Sequence, residues 1–101
     1  MYLYAGCNGI LIAISPETGQ EVWRTTLGGS IFSEQSGQDV CILEHDGKVF
    51  AGSFGHVYAL DAQTGAILWR NELQGLGYND VTLAMAGKSV QYVSSHSQSA
   101  G

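Results

Sequence analysis

The chain is short of charge. Lys, Arg, Asp and Glu make up 13% of its 101 residues, whereas a lone domain of this size, with so much of itself facing water, ordinarily carries about a quarter. Much of the surface therefore expects to be covered. Four basic residues stand against nine acidic ones, a net charge of −5, which gives no footing for counterion release on a nucleic-acid backbone or for anionic lipid. Nucleic acid is not an expected partner. No apolar run approaches the roughly 18 to 20 residues of a bilayer span, so no membrane span is expected. The start, Met1-Tyr2-Leu3-Tyr4, lacks the basic region and the apolar stretch of about 7 to 15 residues that mark a secretory signal. The default expectation is a reducing, cytoplasmic setting.

Chemistry-bearing residues are equally sparse. The two cysteines, Cys7 and Cys41, have no C-x-x-C partner and read as buried free thiols rather than a bridge. Of the three histidines, His45, His56 and His96, none stands two or four positions from another, so no zinc site is expected. His45-Asp46-Gly47 reads as a hairpin turn, because Asp and Gly suit its backbone, rather than as a catalytic dyad. Cys7 as a nucleophile would need a base that the sequence does not identify. No catalytic, metal-ligating or cofactor-binding residue is assigned.

What the chain does have is glycine, 14 of them, and a repeat. Residues 2 to 27 laid over 48 to 73, an offset of 46, give nine identities in 26 positions: Ala5/Ala51, Gly6/Gly52, Gly9/Gly55, Ala13/Ala59, Thr18/Thr64, Gly19/Gly65, Trp23/Trp69, Arg24/Arg70 and Leu27/Leu73. Chance would give about two, and a period of roughly 40 to 50 residues belongs to solenoids and propellers. A third copy begins at Val81, where Val81 to Lys88 follows the Leu, Gly and Lys placement of Cys41 to Lys48.

Within each copy the signals are β: short runs of β-branched and aromatic residues separated by glycine or by the clusters Pro16-Glu17-Thr18-Gly19 and Ala62-Gln63-Thr64-Gly65. Nine strands are expected, at 2–6, 9–15, 20–26, 40–45, 48–53, 56–62, 66–72, 81–86 and 89–95. Stretches such as Val57-Tyr58-Ala59-Leu60 lack the alternation of a sheet with one wet face, so both faces are expected to be packed. The chain divides into a first blade over strands 2–26, a second over 40–72, the start of a third over 81–95 and a polar tail at 97–101. The fold class is all-β: a partial propeller of four-stranded antiparallel blades, about two and a quarter repeats over residues 1–96.

Ala59-Leu60-Asp61-Ala62-Gln63-Thr64-Gly65-Ala66-Ile67-Leu68-Trp69 resembles the Ala-x-Asp-x-x-Thr-Gly-x-x-x-Trp signature of the quinoprotein (PQQ-type), alcohol-dehydrogenase-like β-propeller repeat. Ala13 to Trp23 repeats it with Ser15 in place of the Asp. The resemblance implies that Trp23 and Trp69 dock between neighbouring blades, with Gly19, Gly65, Ala13 and Ala59 as the small residues that allow close approach and Asp61 in the turn. On that basis Trp69→Ala is expected to cost about 3 to 5 kcal/mol, as for a buried aromatic.

That family contains quinone-dependent alcohol and sugar dehydrogenases and also propellers that bind no quinone and serve as scaffolds, such as the outer-membrane assembly lipoprotein type. The favoured expectation is a non-catalytic binding or scaffold module. It would be part of a larger or oligomeric propeller, completed by blades from a longer chain or from further copies, and would carry no cofactor. The alternatives are a piece of a quinone-dependent dehydrogenase, which alone would call for PQQ and calcium, and a small oligomeric carbohydrate-binding propeller. A protein or carbohydrate ligand would be met by the loop Gly75 to Asp80, through Tyr78, Asn79 and Asp80, since loops on a rigid scaffold carry binding residues.

Overall fold

A computed structural model describes residues 1–28, 39–77 and 79–87. Seven strands form in them: β1 (Leu3–Cys7), β2 (Ile10–Ile14), β3 (Glu21–Thr26), β4 (Cys41–His45), β5 (Lys48–Ser53), β6 (His56–Asp61) and β7 (Ile67–Asn71). They build two antiparallel sheets, a three-stranded β1-β2-β3 and a four-stranded β4-β5-β6-β7. The chain is all-β, a partial propeller of about two blades.

The hairpins follow from their turn residues. Asn8-Gly9, Asp46-Gly47 and Phe54-Gly55 each hold two consecutive residues at positive φ, the backbone of the two-residue turn whose twist suits adjoining strands. Asn and Asp tolerate that region at little cost, whereas Phe54, at φ 50°, is held there against the preference of its side chain. The Nδ1–H of His56 donates to the Phe54 carbonyl at 2.8 Å and ties the turn down.

The longer turns explain the Asp-x-x-Thr-Gly spacing. Asp61 Oδ1 accepts the N–H of Gln63 at 2.8 Å and of Thr64 at 3.2 Å, and Thr64 Oγ1 accepts the N–H of Ala66 at 3.2 Å. The side chains thus satisfy the donors that the reversal removes from the ladder. Ser15 and Thr18 do the same more loosely, at 3.4 and 3.2 Å. Just beyond each turn, between β2 and β3 and between β6 and β7, the register slips by one residue, at Ala13/Ile14 and at Ala59/Leu60. These matched bulges bring Trp23 opposite Ala13 and Trp69 opposite Ala59.

The core lies between the sheets. Leu11 and Leu27 come from the first; Val49, Ala51, Tyr58, Leu60 and Ala62 come from the second, with Tyr4, Trp23, Val40 and Ile42 packed against them. Each full side-chain burial of this kind is worth about 1.5 to 3 kcal/mol. The two blades therefore stabilise one another.

Three expectations change, one of them the burial of Cys7, which is exposed while Cys41 is buried. The strand expected at 81–86 does not form: residues 81–84 have no regular structure and Met85 makes a single bridge. A strand exists only where a neighbour takes its backbone hydrogen bonds, and among the described residues none runs alongside. The strand expected at 89–95 and the tail at 97–101 lie outside the described residues. Packing on both faces holds for β5 and most of β6 but fails for β7, every residue of which is exposed.

Candidate docking surface between blades

The contact between the sheets is built from a side chain on one and a turn on the other. The bulge in β3 aims Trp23 across the gap, and its indole N–H donates to the Ala62 carbonyl at 3.0 Å, 39 positions away. Thr25, next but one along the same strand and so on the same face, donates its hydroxyl to the Gly65 carbonyl at 2.6 Å. Gly65 lies beneath the ring. A Cβ placed there would stand 2.5 Å from Trp23 Cε3 and 2.6 Å from Cδ2, so only glycine lets the turn come so close. The ring of Tyr4 flanks Trp23 at 6.1 Å between centroids and 40° between planes.

A second contact is backbone against side chain. Val40 covers Gly6 so closely that a Cβ on the glycine would be 2.5 Å from Val40 Cβ. The repeat makes it again: Val81 covers Gly52, where a Cβ would be 2.7 Å from Val81 Cγ1. The lead-in to the third copy therefore sits on the second sheet as the lead-in to the second sits on the first. The N–H of Gly55 donates to the Asn79 carbonyl at 2.8 Å, and Cys41 lies close enough to Leu83 for its thiol to meet the Leu83 backbone.

In the second blade the same surface is present, and among the described residues no turn lies against it. Phe50 flanks Trp69 at 6.1 Å and 40°, as Tyr4 flanks Trp23, but Trp69 is 47% exposed and Ile67 and Leu68 beside it are 43% and 48% exposed. The expected large loss on truncating Trp69 is therefore corrected, because its burial requires a neighbouring turn. At the other end, Gly19 has nothing within 4 Å of where a Cβ would be.

Of the residues expected at the surface, Trp23 and Gly65 are brought together. Ala13 and Ala59 are fully buried across from the two indoles. Asp61 caps the Gly65 turn from within. The sequence reading missed Thr25, because its counterpart is Asn71, and Val40 and Val81, because neither was an identity in the repeat. The pairing of Gly6 with Gly52 was the available signal.

The loop after β7 borders a cavity of about 220 Å³ lined by Gly55, Leu73, Leu76, Gly77, Asn79, Asp80, Val81 and Thr82. Asn79 and Asp80 are exposed; Tyr78 lies outside the described residues. The exposed ion pairs Arg24–Glu21 at 2.8 Å and Arg70–Glu72 at 2.9 Å belong to the outer edge, where such pairs contribute little. The hydrogen bond from Arg24 holds the Glu21 carboxyl below its ordinary range. Among the described residues no three His, Cys, Asp or Glu side chains gather as metal ligands. A calcium-bound quinone calls for such oxygen donors, and these residues do not fit it. Among the described residues no helix is long and apolar enough to cross a membrane.

Residues 7–100 match the sequence family described as outer membrane protein assembly factor BamB. No curated protein matches the chain significantly. The family match corrects the compartment. An outer-membrane assembly factor is not a cytoplasmic protein, so the cytoplasmic default drawn from the first residues is withdrawn.

Proposed function

Because the chain belongs to the outer membrane protein assembly factor BamB family, a non-catalytic class, we propose that it is a binding and scaffold unit in outer membrane protein assembly. It acts within a larger or oligomeric propeller. The observation that carries this reading is the use of the chain's indoles. Trp23 is spent on holding one sheet to the next, and Trp69 repeats the arrangement at a face still open. Residues of that kind make a rigid wall that presents loops, and the rim loop with Asn79 and Asp80 is the surface it offers a protein partner.

The test is genetic and chemical. Removing the chain from the organism that encodes it is expected to lower the level of outer membrane proteins, and restoring it to recover them. Purified chain given PQQ and calcium is expected to show neither bound-quinone absorbance nor dye-linked alcohol oxidation. Turnover in that assay, or unchanged outer membrane protein levels, would overturn the reading.

A further inference from the structure

We propose that the cavity beside the Phe54–Gly55 hairpin takes an arginine side chain from an exposed segment of a partner protein, with Asp80 pairing its head and Leu73 and Leu76 covering its stem. The inference rests on the scaffold reading above and adds the chemistry by which that scaffold holds its partner.

The cavity is marked by its backbone. Among the described residues four other than glycine have positive φ: Asn8, Asp46, Phe54 and Leu73. Asn and Asp adopt that region at little cost, whereas a bulky residue there is an outlier. Both outliers belong to this one place: Leu73, at φ 48°, lines the cavity, and Phe54, at φ 50°, is joined to Gly55 in its wall. Such conformations persist only where the surroundings impose them, and they gather at ligand clamps. Three hydrogen bonds impose the shape here. Asn71 Oδ1 accepts the Leu73 N–H at 2.8 Å, the Leu73 carbonyl accepts the Leu76 N–H at 3.1 Å, and the Asn79 carbonyl accepts the Gly55 N–H at 2.8 Å. The loop is thus set before anything binds, which spares a ligand the entropy of ordering it.

The chemistry of the wall selects the occupant. At about 220 Å³ the cavity falls short of the roughly 300 to 1,000 Å³ that enclose a small-molecule ligand, and it suits a single long side chain. Leu73 and Leu76 offer apolar surface, while Asn79, Asp80 and Thr82 offer oxygen acceptors. An apolar stem with a cationic end matches both. The planar fork of arginine, with five donors, meets a carboxylate, an amide oxygen and a hydroxyl together, which the point charge of lysine does less well. The charge balance points the same way. The chain carries −5 overall, and among the described residues Arg24 and Arg70 are engaged by Glu21 and Glu72 while Asp80 forms no ion pair. Leu76, 71% exposed, gives the residues flanking the arginine an apolar surface to cover, which a free small cation would leave in water. The occupant is therefore part of a polypeptide.

The probe is the peptide acetyl-Gly-Ser-Arg-Ser-Gly-amide, set against the same peptide carrying citrulline, which keeps the shape without the charge, and against free agmatine. Titrated into the isotope-labelled chain, the arginine peptide is expected to shift the amide resonances of Gly55, Gly77 and Asp80 to saturation, and to bind about fivefold or more tightly than the citrulline peptide. Asp80→Asn is expected to abolish that difference. Leu73→Asn, a side chain suited to the same backbone, is expected to weaken the arginine peptide severalfold, with folding of both variants checked by near-ultraviolet circular dichroism. Equal binding of the two peptides, or wild-type binding by either folded variant, would overturn the proposal. Agmatine bound as tightly as the peptide would also overturn it, by making the occupant a small cation. A peptide that fails to bind while removal of the chain still lowers outer membrane proteins would sink the arginine site and leave the scaffold reading standing. Binding of the peptide with those levels unchanged would sink only the scaffold reading.

Discussion

Trp23 and Gly65 compete for one space: a single carbon added to the glycine would lie 2.5 Å from the indole. Gly19 and Gly65 have nearly the same φ, 79° and 81°, so alanine meets the same backbone penalty of about 1 kcal/mol at either. Only Gly65 adds the steric conflict. Gly65→Ala is expected to exceed Gly19→Ala by about 1 to 3 kcal/mol in urea unfolding. Equal losses would mean that the indole is not held over Gly65.

The two tryptophans should separate in the same assay. Trp23→Ala removes a packed ring and a hydrogen bond from the contact between sheets, an expected loss of about 2 to 4 kcal/mol. Trp69→Ala removes a ring about half in water already, and on the monomer is expected to cost less than about 1 kcal/mol. A reversed order would refute the assignment of Trp23 as the packed indole and Trp69 as the exposed one.

Gly52 and Val81 should be energetically coupled although the segment around Val81 has no ladder. Gly52→Ala drives a methyl into Val81, and Val81→Gly should recover part of the loss. A double-mutant cycle is expected to give a coupling of about 0.5 to 3 kcal/mol. A coupling of zero would mean that the third copy's lead-in does not rest on the second blade.

Stability is expected to fall on the alkaline side. Burial pushes the Cys41 thiol above its ordinary 9.0, with the Leu83 backbone opposing in part. Burial, then the charges of Glu44 and Tyr2, push the Tyr4 phenol above its ordinary 10.0. Both groups hold their protons more tightly folded than unfolded. Their contribution is complete below the unfolded values and is lost as pH rises through the folded ones. The urea midpoint should therefore decline from about pH 9 upward, and a thiol reagent should label exposed Cys7 in the native chain but buried Cys41 only on unfolding. Equal labelling rates would contradict the burial.

The strands and turns were legible in sequence because their causes are local. β-branched runs, Asp-Gly and Thr-Gly dictate backbone shape within a few residues, and the offset of 46 exposed the architecture by self-comparison. What was not legible depends on a neighbour. Trp23 and Trp69 sit in matching local sequence, yet one is packed and the other half in water, because burial belongs to the adjacent turn as much as to the indole. Residues 81–86 have strand composition but, among the described residues, no strand beside them. Thr25 escaped notice because the residue 46 positions on is Asn71, of another type, and Val40 because its counterpart Val81 stands 41 positions on, outside that offset.

The paired bulges have a consequence for how such a chain can change over time. Between Ala13 and Ile14, and again between Ala59 and Leu60, one extra residue on the outer strand, Val22 or Leu68, is left without a partner, and beyond it the ladder runs unbroken from Trp23 to Thr26 and from Trp69 to Asn71. Losing or gaining one residue within those unbroken stretches would turn Trp23 or Trp69 to the opposite side of its sheet relative to the rest of the strand. Small insertions and deletions are therefore barred from these strands, while adding or removing an entire repeat leaves every junction intact. Such a molecule is free to vary its circumference only in whole units.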